Sequence, residues 1–157
     1  MDPNRLRIVD VFSGFDDREL ALLASVMNTR QYSGLETIFK KGDRARACYV
    51  ILAGSIEVMI EGEFETQTAV AQITPGRLFG EIALVDGGLR SATCRAGSTG
   101  AELALLDRNE FDQIFNANNP FAFKLLDILG ERVVERVRKA AGELVGVIME
   151  ERRVTGR

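Results

Sequence analysis

Between Glu36 and Asp107 the chain breaks into short apolar or β-branched runs, and this rhythm leaves few folds open. The runs are ETIFKK (36–41), CYVILA (48–53), SIEVMIE (55–61), TAVAQI (68–73), SATCRA (91–96) and AELALLD (101–107). Turn residues separate them: Gly42-Asp43, Ala53-Gly54, Glu61-Gly62, Pro75-Gly76, Gly87-Gly88 and Gly97. Runs this short, at this spacing and without intervening helices, predict a β-sandwich or β-barrel type of core rather than βαβ units.

The flanks differ. Leu20, Leu23 and Met27 share one face of a helix predicted over Asp16–Met27, with Ser13 or Asp16 as its N-cap. Gly34 ends that pattern. After Asp107 a short helix over Asn109–Asn116 turns Phe111, Ile114 and Phe115 inward, and "NANNP" stops it. Pro120 suits the first turn of another helix, which runs from Phe121 to about Arg153. Its apolar positions Leu125, Leu129, Val133 and Val137 recur every four residues, and Val133, Val137, Ala140, Leu144 and Val147 fit a coiled-coil seam. At ~1.5 Å per residue such a helix is about 50 Å long. It overhangs a domain of this size, so its far end needs a partner surface or folds back. Gly142 and Gly146 each weaken it by ~1 kcal/mol relative to alanine, and a break near Gly142 is one expected outcome. The expected organisation is one domain in three parts: a helical segment over 1–34, an all-β core over 35–108 and a helical tail over 109–157.

Composition then removes whole classes of chemistry. The 157 residues include no histidine and two separate cysteines, which excludes histidine-ligated metals, histidine general bases and a four-cysteine site. No catalytic residue and no metal ligand is assigned. Net charge is −3, with no general pull on nucleic acid or anionic membrane. No apolar run approaches the ~20 residues of a membrane helix, and the N-terminus lacks a signal-peptide core. The expected setting is a reducing cytoplasm in which Cys48 and Cys94 are buried free thiols.

The stretch FGEIALVDGGLRSAT (79–93) carries the chemistry. A strand ends at Leu78–Gly80, and the following EIAL has room for one helical turn. The first N–H groups of such a turn lack internal partners and attract an anion. Gly80 lets the backbone approach closely. The Asp86-Gly87-Gly88 bend can fold Arg90 back over the same place, and a guanidinium with backbone N–H groups makes a phosphate clamp. A carboxylate at Glu81 makes sense there when it accepts from a hydroxyl of the same ligand. Phosphate and sugar hydroxyl together suggest a nucleotide.

Phe79-Gly80-Glu81-Ile82-Ala83-Leu84 and Arg90-Ser91-Ala92-Thr93 resemble the phosphate-binding cassette of the cyclic nucleotide-binding domain family. That family includes the bacterial catabolite activator and the regulatory subunits of cyclic-AMP-dependent kinase. Upstream, KKGDRARACYVILAGSIEV (40–58) is similar to the family's β-roll signature through Gly42, Tyr49 and Gly54. The likeness covers about residues 12–140. It implies a mainly β fold, a double-stranded β-helix with jelly-roll-like strands, flanked by an N-terminal helix and long C-terminal helices.

The resemblance also implies roles. Glu81 would accept from the ribose 2′-hydroxyl and Arg90 would pair with the cyclic phosphate. The backbone of Gly80, Ile82 and Ala83 would complete the cradle, with Ser91 and Ala92 beside it. Val137 or Arg138 would cap the base from the last helix, and Arg136 or Arg138 can stack on a purine. Serine after the arginine, as in the catabolite activator, points to cyclic AMP, with cyclic GMP second. Cys94 and Ser91 depart from the commonest residues of the pattern. The implied function is a non-enzymatic regulatory module that binds a cyclic nucleotide, with no further cofactor. It would signal through its C-terminal helix to an undetermined downstream protein or to a second copy. The alternative is the ligand-sensing part of a catabolite-activator-like transcription regulator. DNA binding by this chain alone, or any membrane association, is not expected.

Overall fold

The computed structural model describes residues 1–61, 67–82, 86–116 and 119–155; side chains at 115, 116, 151, 152, 154 and 155 lie outside that description. The strands are β1 (Asn28–Tyr32), β2 (Thr37–Phe39), β3 (Ala47–Glu61), β4 (Gln67–Ile73), β5 (Leu78–Phe79) and β6 (Thr93–Asp107). The helices are α1 (Asp17–Val26), α2 (Arg108–Asn116) and α3 (Pro120–Thr155), with two 3₁₀ helices, Pro3–Ile8 and Asp10–Phe12, before α1. The fold is mainly antiparallel β with flanking helices, as the strand rhythm implied.

Two long strands organise it. β3 and β6 pair antiparallel from Ala47 opposite Asp107 to Met59 opposite Thr93. β1 and β2 lie along β6, while β4 and β5 lie along β3. Two breaks expected from sequence are absent here: Ala53-Gly54 does not end a strand, and Gly97 lies inside β6. These glycines serve bends instead. The pairing shifts register between Ile51 and Ala53 and between Gly54 and Ile56, and such bulges twist a strand without ending it. Gly54 has φ +76°, and a Cβ there would lie 2.1 Å from the Gly100 carbonyl oxygen, so only glycine lets β3 and β6 cross. β1 had no sequence signal, because of its five residues only Tyr32 is buried.

Residues 47–52 of β3 are all buried, which fits a strand covered on both faces. Alternation sorts them. Cys48, Val50 and Leu52 join a helix-side core with Leu6, Phe12, Leu20, Leu23, Phe111, Phe121, Leu125 and Leu129. Tyr49 and Ile51 join a second core inside the roll with Tyr32, Ile56, Phe79, Cys94 and Leu103.

Asp16 caps α1 in a reciprocal capping box with Glu19. Asn119 caps α3, its Oδ1 accepting from the Phe121 N–H at 3.0 Å. α3 is one continuous 36-residue helix, so the break considered near Gly142 is not present. Its first part is anchored: Phe121, Ala122, Leu125 and Leu129 are buried. From Val134 to Glu150 every residue is exposed. Among the described residues no helix is long and apolar enough to cross a membrane.

Candidate functional site

The site forms where β5 ends against β2, β3 and the following bend. Phe79 pairs with Tyr49 across β5 and β3. Phe39, Tyr49 and Phe79 make a cluster of rings, with Tyr49 and Phe79 stacked at 5.1 Å between centroids. On this cluster rests the Arg90 guanidinium, 4.0 Å from the Phe39 centroid and 5.4 Å from that of Tyr49. Arg90 is 5% exposed. Its Nη1 donates to the Gly80 carbonyl at 3.0 Å and its Nη2 to the Ala47 carbonyl at 2.6 Å. Its Nε has no hydrogen-bond partner among the described residues. A charge held this way is placed before any ligand arrives, and its Nε–H is among the donors left over.

Gly80 permits the arrangement. Its φ is +73°, and a Cβ there would meet Arg90 Nη1 at 2.6 Å. The bend is held from outside by main-chain bonds to the β2–β3 loop on both sides of Arg90. Arg90 N–H donates to the Asp43 carbonyl at 2.8 Å, and Gly42 N–H to the Arg90 carbonyl at 2.9 Å.

Beside Arg90 lies a cavity of about 390 Å³, within the range of roughly 300–1,000 Å³ for small-ligand sites. Gly80, Ile82, Arg90, Ser91 and Ala92 line it with Phe39, Val58, Ile73 and Cys94, and Arg136 and Lys139 of α3 form its outer wall. Five residues expected at the site are thus brought together. Ala83, expected in the cradle, lies outside the described residues.

Glu81 is placed differently. It is 1% exposed and lines a neighbouring cavity of about 380 Å³ with Arg77, Arg132 and Glu135; Ile73 and Arg136 border both spaces. Arg136 Nε lies 3.0 Å from Glu81 Oε1, yet neither carboxylate oxygen has a hydrogen-bond partner among the described residues. The contact is charge against charge without a directed bond. A buried carboxylate so poorly satisfied is unfavourable by itself and is suited to accept from a hydroxyl. Glu81 and Arg90 do not pair with each other; Arg136 borders both of their cavities.

The two residues expected as the base cap are set apart from the cavity lining. Val137 is 62% exposed, and neither Val137 nor Arg138 lines the cavity, whereas Arg136 and Lys139 do. Three residues advance a helix by about 300°, so positions 136 and 139 share a face that 137 and 138 leave. Sequence reasoning missed Phe39 as the seat of Arg90 and missed the Glu81–Arg136 pair. An aromatic ending a strand was a weak signal for the first; none existed for the second, because the partners are 55 positions apart.

Both cysteines are buried and free. Burial pushes the Cys48 thiol up to about 12 and the Cys94 thiol up to about 11, so both are neutral at physiological pH. Burial likewise raises Tyr49. Among the described residues no group of three or more His, Cys, Asp or Glu side chains can hold a metal.

The family model described as "Cyclic nucleotide-binding domain" matches residues 29–118. The chain is 32% identical over 113 residues to the cGMP-dependent protein kinase egl-4 of Caenorhabditis briggsae, covering 71% of this chain and 15% of that protein. It is 30% identical over 125 residues to the Cyclic AMP receptor protein of Thermus thermophilus, covering 80% of this chain and 57% of the relative. It therefore spans only part of either. The crystal structure of the Thermus thermophilus catabolite activator protein superposes with a TM-score of 0.78 at 29% identity, covering 91% of this chain and 65% of that one.

Proposed function

Because this chain belongs to the cyclic nucleotide-binding domain family, we propose that the 390 Å³ cavity takes cyclic AMP and that ligand occupancy is passed to α3. The observation that carries the reading is Arg90: a buried guanidinium with an unused Nε donor, fixed at the wall of an open cavity. The cyclic phosphate is the anion that such a group fits. Ser91 follows the arginine at the cavity rim, as in the catabolite activator, which supports cyclic AMP over cyclic GMP.

The ribose end supplies the coupling. Glu81 and Arg90 border two cavities that share Ile73 and Arg136 in their linings, and Arg136 sits against the Glu81 carboxylate, so a nucleotide that reaches Glu81 competes with the Arg136 side chain. Its 2′-hydroxyl then gives Glu81 the hydrogen bond it lacks. Ligand and Arg136 compete for one carboxylate, and this gives the ligand a different affinity for different positions of α3, without which no shift can be driven. The exposed stretch after Val134 is the part that presents the outcome. Val137, Leu144 and Val147 are each more than half exposed along the heptad-like seam, and a second copy of the helix is the partner that this seam fits.

Isothermal titration calorimetry tests the binding. Cyclic AMP is expected to bind in the micromolar range or tighter and more tightly than cyclic GMP. Arg90→Leu is expected to weaken it at least about tenfold, since a hydrogen bond to a charged group contributes ~1.5–3 kcal/mol. Unchanged affinity in a folded Arg90→Leu variant would refute the assignment. Sedimentation showing only monomer at high concentration, with and without ligand, would remove the second copy.

A further inference from the structure

The loop between β2 and β3 carries Lys40, Lys41, Arg44 and Arg46 within seven residues, all exposed. None makes an ion pair with a described side chain, although ten other cations, from Arg5 to Lys139, do. The one acid in the loop, Asp43, offsets part of this charge, and its Oδ2 also accepts from the Lys40 N–H at 2.8 Å. In a chain of net charge −3, this loop carries four cations against one acid and is a concentrated positive surface.

The same loop is fastened to the Arg90 bend by its main chain. Besides the two bonds to Arg90 itself, Ala45 N–H donates to the Gly88 carbonyl at 3.2 Å, and Lys41 N–H donates to Thr93 Oγ1 at 3.0 Å. The side chains of the four cations take no part in these bonds. The loop's backbone thus reports the position of Arg90, while its side chains face solvent.

We propose that residues 40–46 form a docking surface for an acidic peptide segment of a partner protein, coupled to the nucleotide site through Arg90. The patch is one loop wide, and Asp43 within it is exposed. A short carboxylate-rich segment fits within that width, whereas a nucleic acid or a membrane surface extends past it onto an acidic molecule. The coupling rests on the cyclic nucleotide reading above; the docking surface does not. By linkage, a peptide that changes nucleotide affinity has its own affinity changed by the same factor.

The test is fluorescence anisotropy with a labelled polyglutamate peptide at low ionic strength, repeated at about 1 M salt, where the Debye length is about 3 Å. Binding is expected in the first condition and lost in the second. The variant Lys40→Ala/Lys41→Ala/Arg44→Ala/Arg46→Ala, whose loop keeps its main-chain bonds, is expected to lose affinity on the order of tenfold or more. The control Arg18→Ala/Arg153→Ala removes two exposed cations elsewhere and is expected to bind like the parent. Equal loss in both variants, or none in the first, overturns the docking surface. Tighter binding through the same four cations to oligothymidylate or to phosphatidylserine vesicles overturns the peptide assignment. Saturating cyclic AMP is expected to change peptide affinity by about fivefold or more. No change in a protein shown by calorimetry to bind the nucleotide overturns the coupling, while absence of nucleotide binding itself overturns only the earlier reading.

Discussion

The two buried charges of the site are held in opposite ways. Arg90 is seated on aromatic rings and donates to two carbonyls, from β2, β3 and Gly80 just past β5. Glu81 is as deeply enclosed, yet among the described residues its ion-pair partner is Arg136, a half-exposed side chain on the distal helix. One wall is finished by the roll itself; the other is completed from outside the roll. Under the proposed reading such a site separates anchoring from signalling: the group proposed to hold the phosphate is pre-organised, and the group proposed to report it is left under-satisfied.

The contrast is most easily broken at Gly80. Gly80→Ala places a Cβ 2.6 Å from a guanidinium nitrogen that is pinned at both ends. It also puts a side chain at a left-handed backbone position, which costs about 1–2 kcal/mol. The Arg90 wall is expected to fail, with nucleotide affinity falling as far as in Arg90→Leu. Calorimetry alongside circular dichroism checks this; a folded Gly80→Ala protein with parental affinity contradicts the pre-organised wall.

A smaller effect is expected on the other side. Glu81→Ala should weaken cyclic AMP binding by roughly tenfold, about one charged hydrogen bond. With 2′-deoxy cyclic AMP the parent and the variant should bind alike. If the deoxy ligand still separates them by the full margin, Glu81 does not meet the ribose.

Smallest is the change at Arg136. Arg136→Ala leaves a buried carboxylate without its counter-charge, and thermal melts should show a loss of about 1 kcal/mol, well below a fully buried pair because Arg136 is half-exposed. Adding Glu81→Gln should recover most of it. An unaltered melting temperature in the single variant would mean that solvent already satisfies Glu81, and the contrast between the walls would shrink.

Much of this was legible in the chain. The cassette residues Gly80, Arg90, Ser91 and Ala92 do line one cavity, Asp16 caps its helix and Pro120 opens α3, because such signals are local. Short-range reading failed where a residue had two uses. Gly54 and Gly97 look like turn residues, yet they lie within strands that bend. β1 has no apolar alternation, because it is an edge strand exposed on nearly every residue.

The sequence by itself determined the alternation of core-facing residues, the helix limits and the order of acid, bend and arginine in the cassette. Each is set by neighbours a few positions apart, through backbone geometry and the period of burial. Only the tertiary structure decided that Arg90 rests on Phe39 and bonds to Ala47, that Arg136 rather than Val137 or Arg138 faces the site, and that Glu81 and Arg90 border separate spaces. Those contacts join segments separated by about fifty positions. They depend on the bulges of β3 and β6 and on the helical phase of α3, and a phase error of one residue turns a side chain by about 100°.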